Sequence, residues 1–187
     1  MENVLYYWSE PGQIVWDPFA GSGTTGKVAK RMMRRYQLSD LAPIDHSIKQ
    51  HDLLAGIPDG LMKPDLIFLD PPYWNQVSEK YTDHPSNIAR MKMDEFYQAF
   101  EKILKSFTKF KGSKVALIIG DTREDFHTEF HLHKILNITD GLGWQLVDRV
   151  IVPYSTQQTS AAEVETAKKT KTILRTHRDL VVLGIGE

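Results

Sequence analysis

Cysteine is absent from this chain of 187 residues. Its absence excludes disulfide bonds, thiolate zinc sites and a cysteine nucleophile, and it is typical of proteins in the reducing cytoplasm. Long apolar runs are missing too, since none approaches the roughly 20 residues that span a bilayer. The first residues lack the basic region and cleavage site of a signal peptide. We therefore expect a cytoplasmic protein without a membrane segment, folded as one domain over residues 1–187.

A strong excess of positive charge is also absent. The chain has 23 basic and 24 acidic residues, for a formal net charge of −1, whereas most nucleic-acid-binding domains carry a clear basic excess. Any surface that binds a polyanion must therefore be local. With 41% hydrophobic residues, the chain nevertheless has enough apolar side chains for a substantial core.

The apolar residues follow an alternating pattern of short strands and amphipathic helices. The pattern predicts strands at 13–16, 36–38, 48–50, 65–69, 115–119, 144–152 and 172–183, and helices at 24–35, 94–110 and 124–140. A polar segment, 155–172, lies between the last two strands and is predicted to be a loop. Strands and helices in this order predict an α/β fold, with a mostly parallel sheet and helices on both faces.

Four aspartates lie one or two residues after predicted strands: Asp17, Asp40, Asp52 and Asp70. The ligands of open α/β sheets bind beyond the carboxyl ends of the strands, where these side chains are expected. An acidic side chain after the second strand can accept hydrogen bonds from both ribose hydroxyls of a nucleoside, and we expect this of Asp40. Asp52, after the third strand, is expected to meet an adenine amine.

A loop rich in small residues joins the first strand to the first helix, with the sequence Asp17-Pro18-Phe19-Ala20-Gly21-Ser22-Gly23-Thr24-Thr25. Glycines permit positive φ angles and let a ligand approach the backbone. Residues 21–27 also match the G-x-x-x-x-G-K pattern of nucleoside triphosphatases, but Val28 stands where that pattern needs a hydroxyl for magnesium. A phosphate loop also leaves the Asp-Pro-Phe opening unexplained, so a triphosphatase is the less favoured alternative.

A second motif, Asp70-Pro71-Pro72-Tyr73, follows the most clearly buried strand. Together with the glycine-rich loop it resembles the amino-methyltransferases of DNA, which form N6-methyladenine or N4-methylcytosine. The resemblance implies the class I methyltransferase fold, which is Rossmann-like, with a seven-stranded sheet whose last strand is antiparallel. It also implies S-adenosylmethionine as the cofactor.

The resemblance also assigns roles to residues. It implies that Asp17 approaches the methionine amino group and that Asp40 holds the ribose. It implies a cofactor pocket lined by Phe19, Ala20, Gly21, Ser22, Gly23, Thr24 and Thr25. It places the active site at Asp70, Pro71, Pro72 and Tyr73.

The chemistry of base methylation explains why the residue types of the tetrapeptide suit it. An exocyclic amine is a poor nucleophile because its lone pair is delocalised into the ring. Two acceptors for its N–H bonds, the Asp70 carboxylate and the Pro71 carbonyl, return that lone pair to the nitrogen. Consecutive prolines have fixed φ angles and no N–H, so they aim the carbonyl rigidly. Tyr73 can stack on a base extruded from its helix.

The target base follows from the first position of the tetrapeptide. Within the family, an aspartate there is commoner for adenine methylation and a serine for cytosine methylation, so Asp70 favours N6 of adenine in DNA. N4 of cytosine and an RNA base are the alternatives within this chemistry. An inactive, cofactor-binding subunit of a larger modification complex is the alternative from another class.

The sequence offers little for recognition of a nucleic-acid substrate, because no segment is long enough for a separate target-recognition domain. Substrate contacts are expected from Trp74, which follows the tetrapeptide, and from a basic patch formed by Lys168, Lys169 and Lys171. We expect a homodimer, a partner chain or a fused domain to supply the remaining recognition.

Three histidines, His127, His131 and His133, lie close together in the sequence, and the first two are one helical turn apart. No carboxylate cluster completes a metal site around them. No metal is therefore predicted, and these histidines are expected on a solvated helix face.

Overall fold

The computed structural model describes residues 1–72, 82–124, 127–153, 161–174 and 176–186. The strands are β1 (Ile14–Asp17), β2 (Arg35–Asp40), β3 (Lys49–Gln50), β4 (Leu66–Leu69), β5 (Lys114–Ile119), β6 (Thr122–Glu124), β7 (His127–Glu129), β8 (Gln145–Pro153) and β9 (His177–Gly184). The α-helices are α1 (Glu2–Trp8), α2 (Thr24–Arg31), α3 (Met93–Phe107), α4 (His131–Gly141) and α5 (Ala161–Thr170), and two short 3-10 helices span Leu53–Ala55 and Ile88–Arg90. Within these ranges, no helix is long and apolar enough to cross a membrane.

Seven strands form one sheet in the order β3-β2-β1-β4-β5-β9-β8. Strands β3, β2, β1, β4 and β5 pair in parallel, whereas β9 runs antiparallel to both β5 and β8. The predicted mostly parallel sheet with an antiparallel last strand is therefore confirmed. The ends of β1, β2, β3, β4 and β5 lie along one side of the sheet, which we name the carboxyl edge.

The sheet is buried on both faces because its central strands are almost entirely apolar. Side chains alternate between the faces, so Trp16 and Ile67 pack into one core and Val15 and Leu66 into the other. The first core is closed by α3 and α4, and the second by α1 and α2. On α3 the buried positions follow helical spacing: Phe96, Ala99, Phe100, Ile103, Leu104 and Phe107.

The helix predicted at 124–140 starts only at His131. Residues 122–124 and 127–129 instead pair as the antiparallel strands of the hairpin β6–β7, in which Thr122 pairs with Glu129. The buried positions of α4 (His131, Leu132, Ile135 and Thr139) follow helical spacing only from residue 131 onward. The predicted start at residue 124 was wrong because the residues before His131 pair across strands. No local pattern in the sequence indicates such pairing.

The segment 155–172, predicted to be a loop, contains α5 over residues 161–170. Alanine, glutamate and lysine, all good helix formers, dominate its sequence. Ala167 is buried, whereas most of the helix is exposed. Without a broad apolar stripe the helix carries little amphipathic signal, which is why the prediction was wrong here. Residues 154–160 lie outside the described ranges.

Helix α2 ends at Arg31, earlier than the predicted residue 35, because a buried arginine fixes the turn after it. Met33 adopts a left-handed φ of 62°, and the backbone N–H of Arg34 donates to the carbonyl of Ala29 at 2.8 Å, as in a Schellman motif. The guanidinium of Arg34 donates to the carbonyls of Leu5, Ser9 and Met32 and to the Ser9 hydroxyl, at 2.6–3.1 Å. Arg34 therefore holds α1 against the turn that leads into β2.

Replacement of this arginine should destabilise the fold. Arg34→Met keeps the length of the side chain but removes every donor, so the Ser9 and Met32 carbonyls each lose a partner. We expect the free energy of unfolding to fall by about 3 kcal/mol, measured from the urea midpoint at an unchanged slope. The matched control is Arg35→Met, because Arg35 is exposed. Equal stability of the two variants would contradict the role assigned to Arg34.

Candidate functional site

A cavity of about 260 Å³ opens at the carboxyl edge of the sheet. Its walls come from the segments that follow β1, β2, β3 and β4, and from residues 82–88. Three carboxylates lie in the lining: Asp40, Asp52 and Asp70. No lysine or arginine of the described ranges joins them, so the cavity has an acidic character.

Asp17, the last residue of β1, is only 3% exposed. Its Oδ1 accepts a hydrogen bond from the backbone N–H of Phe19 at 2.9 Å, and its Oδ2 accepts one from the Thr25 hydroxyl at 2.5 Å. The carboxylate thereby connects the start of the glycine-rich loop to the first turn of α2. Burial, and to a smaller extent the charges of Asp70 and Asp40, raise the pKa of Asp17 to about 7 despite the two hydrogen bonds.

Asp40, the last residue of β2, supports the middle of the loop. Its Oδ2 accepts the N–H of Gly21 at 2.8 Å, and its Oδ1 accepts the N–H of Ala42 at 2.9 Å. Gly21 and Gly23 have φ angles of 50° and 77°, which glycine adopts without strain. Asp40 therefore orders the backbone on two sides of the cavity while its own side chain forms part of the wall.

Asp52 joins two walls of the cavity. Its Oδ1 accepts the N–H of Leu54 at 2.8 Å and so caps the first 3-10 helix, while its Oδ2 accepts the Ser86 hydroxyl at 2.6 Å. The neighbouring His51 also lines the cavity, and its Nε2 lies 2.8 Å from the Gly56 carbonyl. Each carboxylate oxygen has two lone pairs, so these bonds leave Asp52 able to accept a ligand donor as well.

Asp70 is the first residue after β4 and lies exposed on the cavity wall, next to the buried Pro71 and the half-buried Pro72. Its position is central, because β4 lies between β1 and β5 in the sheet. The charge of Asp70 contributes to the raised pKa of Asp17. The two carboxylates therefore occupy the same part of the carboxyl edge.

The structure brings six of the predicted cofactor and active-site residues into the cavity wall. They are Phe19, Gly21, Asp40, Asp52, Asp70 and Pro72. The other described ones belong to the strand ends, the loop and the first turn of α2 without lining this cavity: Asp17, Ala20, Ser22, Gly23, Thr24, Thr25 and Pro71. Tyr73 and Trp74 lie outside the described ranges.

Sequence reasoning named none of the cavity residues in the wall formed by residues 82–88. This wall contributes Thr82, Ser86, Asn87 and Ile88. The Asn87 side chain orders it by donating to the Thr82 carbonyl at 2.7 Å and accepting the Ala89 N–H at 3.1 Å. These residues reach the cavity only because the chain returns across the carboxyl edge after β4. The Ser-Asn pair marks a turn in the sequence, but nothing local marks a pocket.

The predicted basic patch lies on α5 and just beyond it. Lys168 and Lys169 are in the last turn of the helix, and Lys171 follows it. All three are exposed, and Lys168 Nζ donates to Glu165 at 2.9 Å. Strand β8 ends and β9 begins at the carboxyl edge, since β9 is antiparallel to β5 and β8. The connection that carries the lysines therefore starts and ends on the side of the sheet where the cavity opens.

One histidine expected on a solvated helix face is instead buried. His131, the first residue of α4, is 1% exposed and packs against the rings of Phe96 and Tyr97, with centroids 5.5 and 5.7 Å away. The expectation failed because β7 delivers residue 131 into the core beside α3, whereas His133 is exposed. In the described part of the chain, no group of three or more histidine or acidic side chains is arranged to hold a metal ion.

The raised pKa of Asp17 should appear in the pH dependence of stability. The folded value of about 7 exceeds the unfolded value of 3.8, so this group contributes stability at low pH that is lost as the pH rises through 7. Between pH 5 and pH 8 we expect a loss on the order of 2 kcal/mol from this residue. Urea unfolding at both pH values should show a smaller loss for Asp17→Asn than for the parent protein.

The control for this measurement is Asp59→Asn, which removes an exposed carboxylate. It should keep the pH slope of the parent protein. If Asp17→Asn also keeps that slope, Asp17 does not titrate in the predicted range.

Comparison with known families supports the resemblance inferred from the motifs. Residues 1–44 match the sequence model of a family described as DNA methylase. The matched region contains α1, β1, the glycine-rich loop, α2 and β2. It ends before Asp70, so the resemblance to DNA methylases is confirmed for the first part of the chain.

Solved methyltransferase structures align with nearly the whole chain. A TehB-like S-adenosylmethionine-dependent methyltransferase from Corynebacterium glutamicum shares 12% identity, with 98% of this chain and 85% of that chain covered, at a TM-score of 0.59. A 1,6-didemethyltoxoflavin-N1-methyltransferase from Burkholderia thailandensis, solved with S-adenosylhomocysteine, shares 11% identity. The alignment covers 95% of this chain and 72% of that chain, at a TM-score of 0.59. A candidate rRNA methylase from Clostridium thermocellum shares 12% identity, with 98% of this chain and 94% of that chain covered, at a TM-score of 0.55.

At such low identity the likeness establishes the fold alone. The sheet order and its antiparallel β9 agree with that fold. The chain therefore has the class I methyltransferase fold, and its first 44 residues match the DNA methylase family.

Proposed function

We propose that this chain is an S-adenosylmethionine-dependent methyltransferase acting on the exocyclic amine of a nucleic-acid base, with N6 of adenine in DNA as the favoured target. One observation carries the proposal: Asp70, the acid of the tetrapeptide, shares a cavity wall with Asp40 and Asp52. An acid suited to a base amine thus lies beside two acids suited to a nucleoside. The fold and the match of residues 1–44 to DNA methylases support the same reading.

The charge of the cavity favours a cationic ligand. Its described lining carries three carboxylates and no lysine or arginine, and a fourth carboxylate, Asp17, lies close enough to feel two of them. S-adenosylmethionine carries a sulfonium and an ammonium group, so it is attracted there, whereas a nucleoside triphosphate is repelled. This electrostatic difference argues against the triphosphatase alternative.

The glycine of the Walker-like pattern has a packing role instead. A Cβ atom at Gly26 would lie 2.8 Å from Leu38 Cδ1 and 3.1 Å from the Tyr36 ring. A side chain at residue 26 would have to displace Leu38 and Tyr36, so glycine suits the close approach of α2 to β2. Gly26 of the pattern is thereby explained without a phosphate ligand.

The residues of the site fit a nucleoside cofactor by their chemistry. We assign Asp40 to the ribose hydroxyls and Asp52 to the adenine amine. The contact of Asp17 with the methionine amino group stays a prediction, because this buried carboxylate does not line the cavity. The apolar side chains of Phe19 and Ile88 line the same cavity and suit the faces of the adenine ring. When bound, S-adenosylmethionine supplies a methyl group already activated by the positive charge on its sulfur.

The work of the protein is then to position and polarise the target amine. The Asp70 carboxylate accepts a hydrogen bond from one N–H of the amine, and the Pro71 carbonyl accepts one from the other. These two hydrogen bonds localise the lone pair on the nitrogen. Pro71 and Pro72 hold that carbonyl in place because their φ angles are fixed. No metal is needed for this reaction, since positioning supplies most of the rate enhancement.

Contacts to the nucleic acid are proposed outside the cavity. Lys168, Lys169 and Lys171 are assigned to phosphate contacts, because they are exposed on a connection that starts and ends at the carboxyl edge. Stacking of the target base on Tyr73, and a contact from Trp74, remain predictions. A homodimer, partner chain or fused domain supplies the rest of the recognition in this proposal, and residues 1–187 act as one catalytic domain.

Ligand binding separates the two nucleotide chemistries. S-adenosylmethionine or S-adenosylhomocysteine should stabilise the protein by about 2.7 kcal/mol at 100 times the dissociation constant. For a domain of this size that corresponds to a rise in Tm of about 5–10 °C, measured by calorimetry or dye fluorescence. ATP with magnesium should leave Tm unchanged, and the reverse pattern would refute the proposal.

Two substitutions separate catalysis from cofactor binding. Asp70→Ala removes the acceptor for the target amine, so kcat should fall at least about 100-fold while the affinity for S-adenosylhomocysteine stays within about twofold. Asp40→Ala should instead weaken that affinity first, because the Asp40 side chain orders the loop and forms the proposed ribose contact. Isothermal titration and single-turnover methyl transfer measure the two effects. Equal damage to binding by both variants would contradict this division of roles.

The identity of the target base is tested by nucleoside analysis. DNA and RNA are exposed to the protein and S-adenosylmethionine, digested, and examined by mass spectrometry for N6-methyladenine and N4-methylcytosine. N6-methyladenine in DNA supports the full proposal. Methylcytosine or methylated RNA supports one of the alternatives, and cofactor binding without any transfer supports the inactive subunit.

A further inference from the structure

The segment after β5 returns an exposed aromatic residue to the carboxyl edge. Strands β4 and β5 are parallel neighbours, with Leu69 paired to Leu117, so the residues that follow each strand lie side by side. The hairpin β6–β7 then folds back on itself, with Thr122 paired to Glu129. Phe130, the next residue, is therefore beside the start of the hairpin, and it is 56% exposed.

A buried hydrogen-bond network anchors this segment. His131 Nε2 lies 2.6 Å from the Thr122 hydroxyl, and His131 Nδ1 lies 2.8 Å from Tyr97 Oη. Tyr97 Oη donates its proton to Glu129 at 2.7 Å, so it accepts from Nδ1–H of the histidine. The Thr122 hydroxyl therefore donates to Nε2, and burial lowers the pKa of His131 in keeping with a neutral ring.

The network fixes the direction of Phe130. His131 points into the core between the rings of Phe96 and Tyr97, and its neighbour Phe130 is held toward solvent at the first turn of α4. One turn further on, the exposed Lys134 has its Nζ 5.6 Å from the centroid of the Tyr97 ring. Phe130 and Lys134 are thus one helical turn apart, joined by the bond from the Lys134 N–H to the Phe130 carbonyl, on a segment that the buried network anchors.

We propose that Phe130 and Lys134 form a contact surface for a single-stranded or unpaired stretch of the nucleic-acid substrate, with a base stacked on Phe130 and a phosphate bound by Lys134. This inference rests on the proposed function and names a contact outside its cavity. Stacking on an aromatic ring suits any base, because every base has a π face. Glu129 contributes an opposing charge nearby, so stacking, more than phosphate attraction, supplies the affinity.

The location of this surface suits the binding of nucleotides that flank the target base. An enzyme that acts on a base amine must take the base out of its stack, and the flanking nucleotides must then be held elsewhere. The surface lies after β5, the strand next to the one that carries Asp70. It therefore offers a place for a flanking base close to the proposed active site.

The test measures binding of a fluorescently labelled single-stranded oligonucleotide of mixed sequence by anisotropy, without methyl transfer. Phe130→Ala should weaken binding roughly 5- to 100-fold, whereas Phe130→Trp should keep the affinity of the parent protein. Phe130→Leu, which keeps apolar bulk but lacks a π face, should resemble the alanine variant. Tyr6→Ala is the matched control, because it removes another exposed aromatic ring, on α1, and should leave binding unchanged.

Salt dependence separates the two parts of the surface. Lys134→Gln should reduce the slope of log affinity against log salt by about 0.7, the value for one phosphate contact on a single strand. Phe130→Ala should leave that slope unchanged. A Phe130→Ala variant that binds the oligonucleotide as the parent protein does, or that alters only self-association in sedimentation, would overturn the inference.

The experiments distinguish a failure of this contact surface from a failure of the proposed function. If no base is methylated but oligonucleotide binding depends on Phe130, the surface stands and the assigned reaction fails. If a base is methylated but Phe130→Ala changes neither the oligonucleotide affinity nor KM, the reaction stands and the surface fails.

Discussion

One buried carboxylate organises the region on which the rest of the site depends. Asp17 ends β1 and accepts hydrogen bonds from the Phe19 N–H and the Thr25 hydroxyl, so the loop and the start of α2 are held by the same group. Asp40 supports the loop from the neighbouring strand through the N–H of Gly21. The aspartates at the strand ends therefore both fix the conformation of the glycine-rich loop and contribute to the negative charge of this region.

Gathering carboxylates at one edge of a sheet places like charges close together. The pKa of Asp17 is raised mainly by burial, and the charges of Asp70 and Asp40 add to the shift. A cation entering the cavity relieves the repulsion, so the arrangement favours the ligand that its charge attracts. Strongly perturbed pKa values of this kind are typical of functional sites. The electrostatics of the cavity thus support the same class of ligand as its hydrogen-bonding groups.

The contrast between residues 115–119 and 122–141 shows where local patterns stop being sufficient. The apolar run at 115–119 is a strand in any context that buries it, and it forms most of β5. The following residues pair with one another as a hairpin, which delays α4 and carries His131 into the core. A similar limit applies to α5, whose small buried surface left its sequence without a clear amphipathic stripe.

The sequence by itself determined which segments form most of the strands and where the acids stand at the strand ends, because periodicity and the glycine and proline signals are local. Those signals were enough to identify Asp40, Asp52 and Asp70 as candidates. The antiparallel last strand was implied by the family resemblance, and the order of the strands in the sheet came from the tertiary structure. Only the tertiary structure decided that residues 82–88 close the cavity and that Asp17 carries a raised pKa. Burial and pairing depend on residues that are distant in the chain, such as Ser86 and Asp52, and no local pattern encodes their contact.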